Sequence, residues 1–303
     1  MTDFVAIKPV AVTEARLFSS SIGELAVGAD PDPPEWNGAT TYNAPYRVTR
    51  LFSHKIYQRI TAGATATPPE SDPVNWVYVG FTNRWRMFDL ANNTQSSAPE
   101  QIIVVLTPLA FADRLVVLNL DAQQASVTIE NTDYNVVKGM DKRVVRNWFD
   151  YFFERIEDGR TEYVFEDMPL RLGNKITLKI TRPGGIARIG TVVFGVSKVL
   201  GTTKYGASAG ILNYDKKNVD DFGNASIVPR AYSKRMNVSL TVLARDVDGV
   251  HRYLTLNRSI PLVFIGANND YSALIIYGWA RSFEIVIAYY THSDCALTCE
   301  GLI

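Results

Sequence analysis

The chain is poor in the residues that most reaction chemistry requires. Its 303 residues include two cysteines and three histidines, and His54, His251 and His292 lie far apart with no His-x-x-x-His or Cys-x-x-Cys partner, so no metal site and no cofactor are expected. Charge of one sign is also lacking. Lys plus Arg and Asp plus Glu number 31 each, no long one-sign run occurs, and nucleic acid is therefore not an expected partner. No window approaches the roughly 20 apolar residues of a membrane helix. The first ten residues carry Asp3 and Lys8 and no apolar stretch of signal-peptide length follows, so the expectation is a protein made in the cytosol, soluble and not inserted in a membrane.

Cys295 and Cys299 stand four apart in a segment that reads as extended. At about 3.3 Å per residue their α-carbons lie roughly 13 Å apart, beyond the roughly 7 Å reach of a disulfide. Reduced thiols are expected; a redox or metal pair requires a helix or tight turn there.

The composition is that of a folded chain, 47% hydrophobic and 20% charged, long enough for two or three domains with cores of their own. Aromatic and β-branched residues abound and turn residues recur at short intervals, which indicates many short strands. Ile176, Leu178 and Ile180 alternate with Thr177, Lys179 and Thr181; Met236, Val238, Leu240 and Val242 alternate with Asn237, Ser239 and Thr241; Phe283, Ile285 and Ile287 repeat the pattern. Each is a half-buried strand. Continuous apolar runs at 102–106 and 115–120 read as strands covered on both faces. Helical signals are few: Val144, Val145, Trp148 and Phe152 fit helix and strand alike, whereas Asp248 as a cap, Val250, Tyr253 and Leu254 on one face and Pro261 beyond predict one short helix over 248–258.

Three loops divide the chain: 30–34 with three prolines, 66–73, and the long Gly, Ser, Lys and Asp stretch 201–224. The expected fold class is mainly β, with small β domains in series: a leader (1–34), a small aromatic module (35–80), a jelly-roll-like sandwich (81–194), and a C-terminal β domain with one short helix (195–303).

Within the module, Trp36, Tyr42, Tyr57 and Trp76 are spread through about forty residues. Some must serve as core in so small a unit, while others lying flat on the surface suit sugar rings. The order Trp36, Thr41-Tyr42, Val48, Tyr57-Gln58, Pro68-Pro69, Trp76 resembles the small chitin-binding type of carbohydrate-binding module, with Ala44-Pro45 and Ser53-His54 where that family has Gly-containing turns. The resemblance implies the fold and a sugar contact through these aromatics; a structural or protein-docking role stands beside it. The segment 80–89, in which Asn83 and Asp89 suit local backbone bonding and Trp85, Met87 and Phe88 supply apolar bulk, reads by itself as a core strand with a polar corner. With the strands that follow, it resembles the opening of a jelly roll of the galactose-binding type, a fold that does not fix function.

Residues 201–236, with Lys204-Tyr205-Gly206, Asp221-Phe222-Gly223-Asn224 and Arg230-Ala231-Tyr232, together with 261–266, Tyr277-Gly278 and Glu300-Gly301-Leu302, resemble uncharacterised proteins encoded among bacteriophage tail genes. The leader, from Lys8-Pro9-Val10 to Glu24, and Asn83-Arg84-Trp85 fit the same arrangement. The strand-helix-strand-strand ending also looks like the β domains of phage distal-tail and tail-tip rings. This resemblance implies a structural tail or baseplate component, found in the virion after assembly in the host cytoplasm, with other tail proteins as partners. A trimeric or hexameric homo-oligomer is expected, since tail components act around a rotational axis. Lys204, Tyr205, Lys216 and Lys217 with Asp215, Asp220 and Asp221 form the candidate assembly loop, able to make reciprocal polar contacts between subunits.

The alternatives are adhesion to a host-surface glycan and, third, a polysaccharide depolymerase. Gly206-Ala207-Ser208-Ala209-Gly210 has the spacing of a hydrolase elbow but lacks a strand before it and an amphipathic helix after it. Glu154, Glu157, Asp158, Glu162, Glu166 and Asp167 crowd one region, without showing which pair would face across a cleft as glycoside hydrolysis demands. The expectation is a non-enzymatic protein.

Overall fold

A computed structural model describes residues 2–28, 30–61, 63–64, 67–139, 147–153, 160–169, 173–219, 222–267, 271–287 and 289–302. Strands make up 52% of the described residues and helix 10%, the mainly β class that the alternating patterns predict. The N-terminal segment gives β1 (Asp3–Pro9) and β2 (Leu17–Ser20). The aromatic module follows with β3 (Thr41–Tyr42), β4 (Arg47–Arg50), β5 (Lys55–Arg59), β6 (Gly63–Ala64) and β7 (Trp76–Phe81). It forms its own small sheets, β4-β5-β7 and β3-β6.

Next come β8 (Ser96–Leu106), β9 (Arg114–Asp121), β10 (Gln124–Ile129), β11 (Asn135–Gly139), helix α1 (Trp148–Phe153), β12 (Tyr163–Phe165) and β13 (Ile176–Thr203). The last third holds β14 (Ser208–Asn213), β15 (Lys216–Val219), β16 (Ala225–Val228), β17 (Tyr232–Leu243), helix α2 (Val247–Leu256), β18 (Leu262–Ile265), β19 (Ile275–Val286) and β20 (His292–Gly301). Helix α2 lies where the apolar face predicts it, burying Val250 and Leu254, but Asp248, expected as its cap, sits in the first turn, and Asp246 at the N-cap position makes no side-chain capping bond.

The strands predicted over 102–106, 115–120, 176–180 and 236–242 form, with β13 as their spine, and the 283–287 alternation falls in β19 as far as Val286, with Ile287 beyond it and exposed. The segment 82–89, expected as a core strand, instead turns, because the Trp85 and Arg86 N–H groups bond back to the Thr82 oxygen and Arg86–Phe88 close a short 3-10 turn. Residues 176–181 pair with β8 and β10, 188–195 with β9, 195–202 with β1, and Thr202 and Thr203 with β17. The register with β8 shifts between Thr181 and Ile186, across Pro183, Gly184 and Gly185. There the strand changes neighbours without ending. Residues 194 and 195, expected on either side of a domain boundary, are consecutive in this strand.

Strand β1, expected in a leader, is central. Phe4 and Ala6 point into the core formed with β17, β18, β20 and α2, whereas Val5 and Ile7 pack with Val116, Leu118, Val164, Val193 and Val263 in a second core shared with β9, β12 and β13. A strand buried on both faces joins the two regions, each fully buried Phe or Ile contributing about 1.5–3 kcal/mol. Gly195 marks the crossing: a Cβ there would lie 1.9 Å from the Lys8 carbonyl oxygen. A third core lies within the sandwich, built from residues such as Met87, Leu106, Leu115, Phe165 and Leu178.

Candidate functional site

The aromatic quartet is the first candidate, and its geometry corrects the sugar-platform expectation. Tyr42, Tyr57 and Trp76 are buried and, with Val48, form the module's core, against which partly buried Trp36 packs. Trp76 meets Tyr42 edge-on at 5.5 Å, the Arg59 guanidinium lies 5.1 Å over Trp76, and that of Arg50 lies 4.8 Å over Trp36. The Tyr42 hydroxyl accepts from the Asn37 backbone N–H at 2.7 Å, and burial raises the pKa of Tyr57. So few residues supply too little aliphatic volume, so the aromatics fill the interior and their faces are occupied. Tyr42, Tyr57 and Trp76 offer no bare face to a sugar ring, and Trp36 is partly buried with Arg50 over one face. The polar corner behaves as its residues predict: Asn83 exchanges two hydrogen bonds with the Ser97 backbone, at 2.8 and 2.7 Å, and Asp89 accepts from Ala91 N–H at 2.8 Å and Thr94 Oγ1 at 3.0 Å.

The segment expected as a long loop over 201–224 is instead mostly strand. After β13, strand β14 pairs with β17 at the edge of the main sheet, and β15 pairs with β16 as a separate two-stranded sheet. Every residue of β15 and β16 is exposed. The polar residues also divide differently from expectation. The Lys204 ammonium donates to Asp294 on β20 at 2.6 Å, and the Asp215 carboxylate accepts from the Arg230 backbone N–H and from Asn213 Nδ2, while the Asp215 N–H donates to Asn213 Oδ1. The Arg230 backbone N–H, with the Asn213 amide, holds the Asp215 carboxyl below its ordinary pKa. Lys204 and Asp215 are thus committed within the chain, because the hairpin turn and the neighbouring strand reach them first. Lys216, Lys217 and Tyr205 remain exposed, Tyr205 by 91%; Asp220 and Asp221 lie outside the described residues.

What the sequence pattern did not single out is the apolar surface of this arm. Val219, Ile227 and Val228 are exposed, as is Phe222 by 91%. A two-stranded hairpin is marginal in water by itself. At the start of β14 lies a groove of about 490 Å³, lined by Ala207, Ala209, Ala267, Tyr271, Ala273 and Leu274 among others. The aromatic run left open between helix and strand is helix α1, and its five aromatics are all exposed, Trp148 by 78%, stacking mainly on one another. Six residues are far too few for a stable isolated helix. Val144 and Val145 lie outside the described residues.

The catalytic candidates are dispersed. Ser208 opens edge strand β14 and is followed by strand, so Gly206–Gly210 does not form a strand-turn-helix elbow. His54 stacks on Trp85 at 4.2 Å and reaches Glu14 and Glu24 at 3.0 and 3.3 Å; His251 lies on α2 and His292 on β20. Glu162 pairs with Lys234 and Glu166 with Arg114; Glu154, Glu157 and Asp158 lie outside the described residues. Cys295 and Cys299 are free and buried on β20, and burial pushes the Cys295 thiol up to about 11 and that of Cys299 higher still. Among the described residues no three His, Cys, Asp or Glu side chains gather as a metal-ligand group. A scan of the chain against protein-family models finds no match, and a search of curated proteins finds none either.

Proposed function

We propose that the protein is a structural subunit of a bacteriophage particle, of its tail or baseplate, and that it assembles by laying the β15–β16 arm of one copy against the next. The observation that carries the assembly reading is the arm itself: a two-stranded sheet exposed on both faces, bearing Val219, Phe222 and Ile227. Such an element is stabilised by a third strand or an apolar surface. The groove between β14 and the Tyr271–Leu274 turn is a suitable receptor, apolar enough for an aromatic side chain and set apart from the arm's tip. A contact between unlike surfaces closes into a ring when its rotation permits. The choice of particle rests on the order of residues in 201–236, 261–266 and 277–278 and on their resemblance to phage tail-gene products.

Mass photometry of the purified protein across a concentration series tests this reading. Trimeric or hexameric species are expected, reduced to monomer when residues 216–228 are replaced by a short Gly-Ser turn. The reading is abandoned if the intact chain stays monomeric at every concentration and particles lacking it assemble normally and infect.

A further inference from the structure

A second concavity, of about 500 Å³, opens where the sandwich meets the C-terminal sheet. We infer that it is a binding site for an uncharged saccharide, distinct from the aromatic module and independent of the assembly reading. Four side-chain amides converge on it, those of Asn92, Asn93, Gln95 and Asn119. An amide is the side chain that offers a neutral donor and a neutral acceptor together, which is what a vicinal pair of sugar hydroxyls presents in return.

The amides are held in place. Gln95 Nε2 donates to the Asn119 backbone oxygen at 2.9 Å and to its Oδ1 at 3.2 Å, and Asn119 Nδ2 donates to the Asn92 backbone oxygen at 2.6 Å. Thr191 Oγ1 donates to Asn92 Oδ1 at 3.3 Å. Asn93 is exposed at the mouth.

The backbone departs from regular geometry to build this wall. Asn119, inside β9, has φ of 53°, a left-handed conformation that costs an Asn in a strand of order 1 kcal/mol. The ladder to β13 pairs Leu118 with Thr191 and Leu120 with Ile189 and skips Asn119 and Gly190. A Cβ on Gly190 would lie 2.6 Å from that of Asn119, so the glycine makes room for the turned residue. A more regular strand would point this side chain elsewhere.

Charge selects the ligand. At the floor, Glu162 is 6% exposed and ion-paired with Lys234; at the rim, Arg230 stands beside Asp215. Glu162 offsets Lys234 within the cleft, and Asp215, which accepts from the Arg230 backbone N–H just outside the lining, offsets the Arg230 charge, so the site and its rim carry no net formal charge to draw a phosphate or a carboxylate. Tyr232, 54% exposed on the rim, offers a ring face of the kind that stacks on a pyranose. Glu162 is the single carboxylate lining the cleft among the described residues, so the proposal is of binding, not of bond cleavage, which takes a carboxylate pair.

The test is an array of neutral hexoses, deoxyhexoses and N-acetylhexosamines in both anomeric linkages, with sulfated and phosphorylated counterparts beside them, probed with the full-length protein and followed by titration of the best hit. Binding of a neutral saccharide is expected, weakened about tenfold or more by Asn119→Ala and by Tyr232→Ala and unchanged by Phe52→Ala on the surface of the aromatic module. Asn93→Ala, at an exposed position, carries the same expected loss if Asn119→Ala fails to fold. No binding anywhere on the array, binding that survives both Tyr232→Ala and Asn93→Ala, or preference for sulfated or phosphorylated sugars overturns the proposal. Each result is separable from assembly, because the oligomer is scored by mass without any sugar present.

Discussion

The aromatic module and the β15–β16 arm are both small β pieces rich in large apolar side chains, yet one folds them inward and the other holds them out. In the module, three paired strands curve around Tyr42, Tyr57 and Trp76, and Arg50 and Arg59 lie over the tryptophan faces. The arm has two strands, exposed along their length among the described residues, so Val219 and Ile227 stay in solvent. The number of strands available to enclose a side chain, rather than its hydrophobicity, decides the outcome. The same contrast separates a region whose aromatics are spent on its own stability from one whose apolar surface is open to solvent.

The largest expected effect tests the enclosed side. Trp76→Ala removes the centre of the module's core and should cost about 3–5 kcal/mol, enough to unfold a unit of this size. Hydrogen exchange should then lose protection in β4, β5 and β7 and keep it in β8 to β13. Loss that spreads into β9 and β13 would mean that the module has no stability separate from the sandwich.

A second expectation concerns the junction of module and sandwich. Burial pushes Asp89 up to about 6, above its unfolded value of 3.8. The native state therefore holds a proton that the unfolded chain has released, so stability falls as pH rises from about 4 to about 6 and levels off above that. The loss is at most about 3 kcal/mol. Asp89→Asn should flatten denaturant midpoints over that window and raise them at pH 7; an unchanged pH profile would show that Asp89 is ionised throughout.

On the open side, Val219→Ser together with Ile227→Ser should shift the melting of the monomer little, since both are exposed, and weaken self-association about tenfold or more, roughly 1.4 kcal/mol. A large drop in monomer stability instead would place these side chains against the chain's own body. The smallest effect is reserved for Lys216→Gln with Lys217→Gln: stability within about 0.5 kcal/mol of the original and association less sensitive to salt. Salt dependence that does not change would leave the arm's contact purely apolar.

Much of the fold is legible in the residues. The alternation at 176–181 and 236–242, the apolar runs at 102–106 and 115–120, and the apolar face of α2 are each local patterns, and each element forms where its pattern lies. The candidate sites were less legible. Lys204 and Asp294, 90 residues apart, find each other only because the end of β13 and β20 both pair with β17 at Thr241, and the amides of the polar cleft come from two separate stretches, 92–95 and Asn119. No spacing within any one stretch announces such a wall; the one local hint is Asn119 interrupting the apolar run of β9.

By itself the sequence determined that the chain folds as β structure, with two cysteines too far apart along one strand to pair and one short helix late in the chain, because these follow from side-chain period and reach. The tertiary structure decided that β1 is a central strand, that β13 runs unbroken through both regions, and which aromatics are enclosed. It also decided that the arm and α1 stand open and that four amides share one cleft. Burial and convergence depend on which strands become neighbours, and that is set by pairing across the whole chain rather than by any window of it.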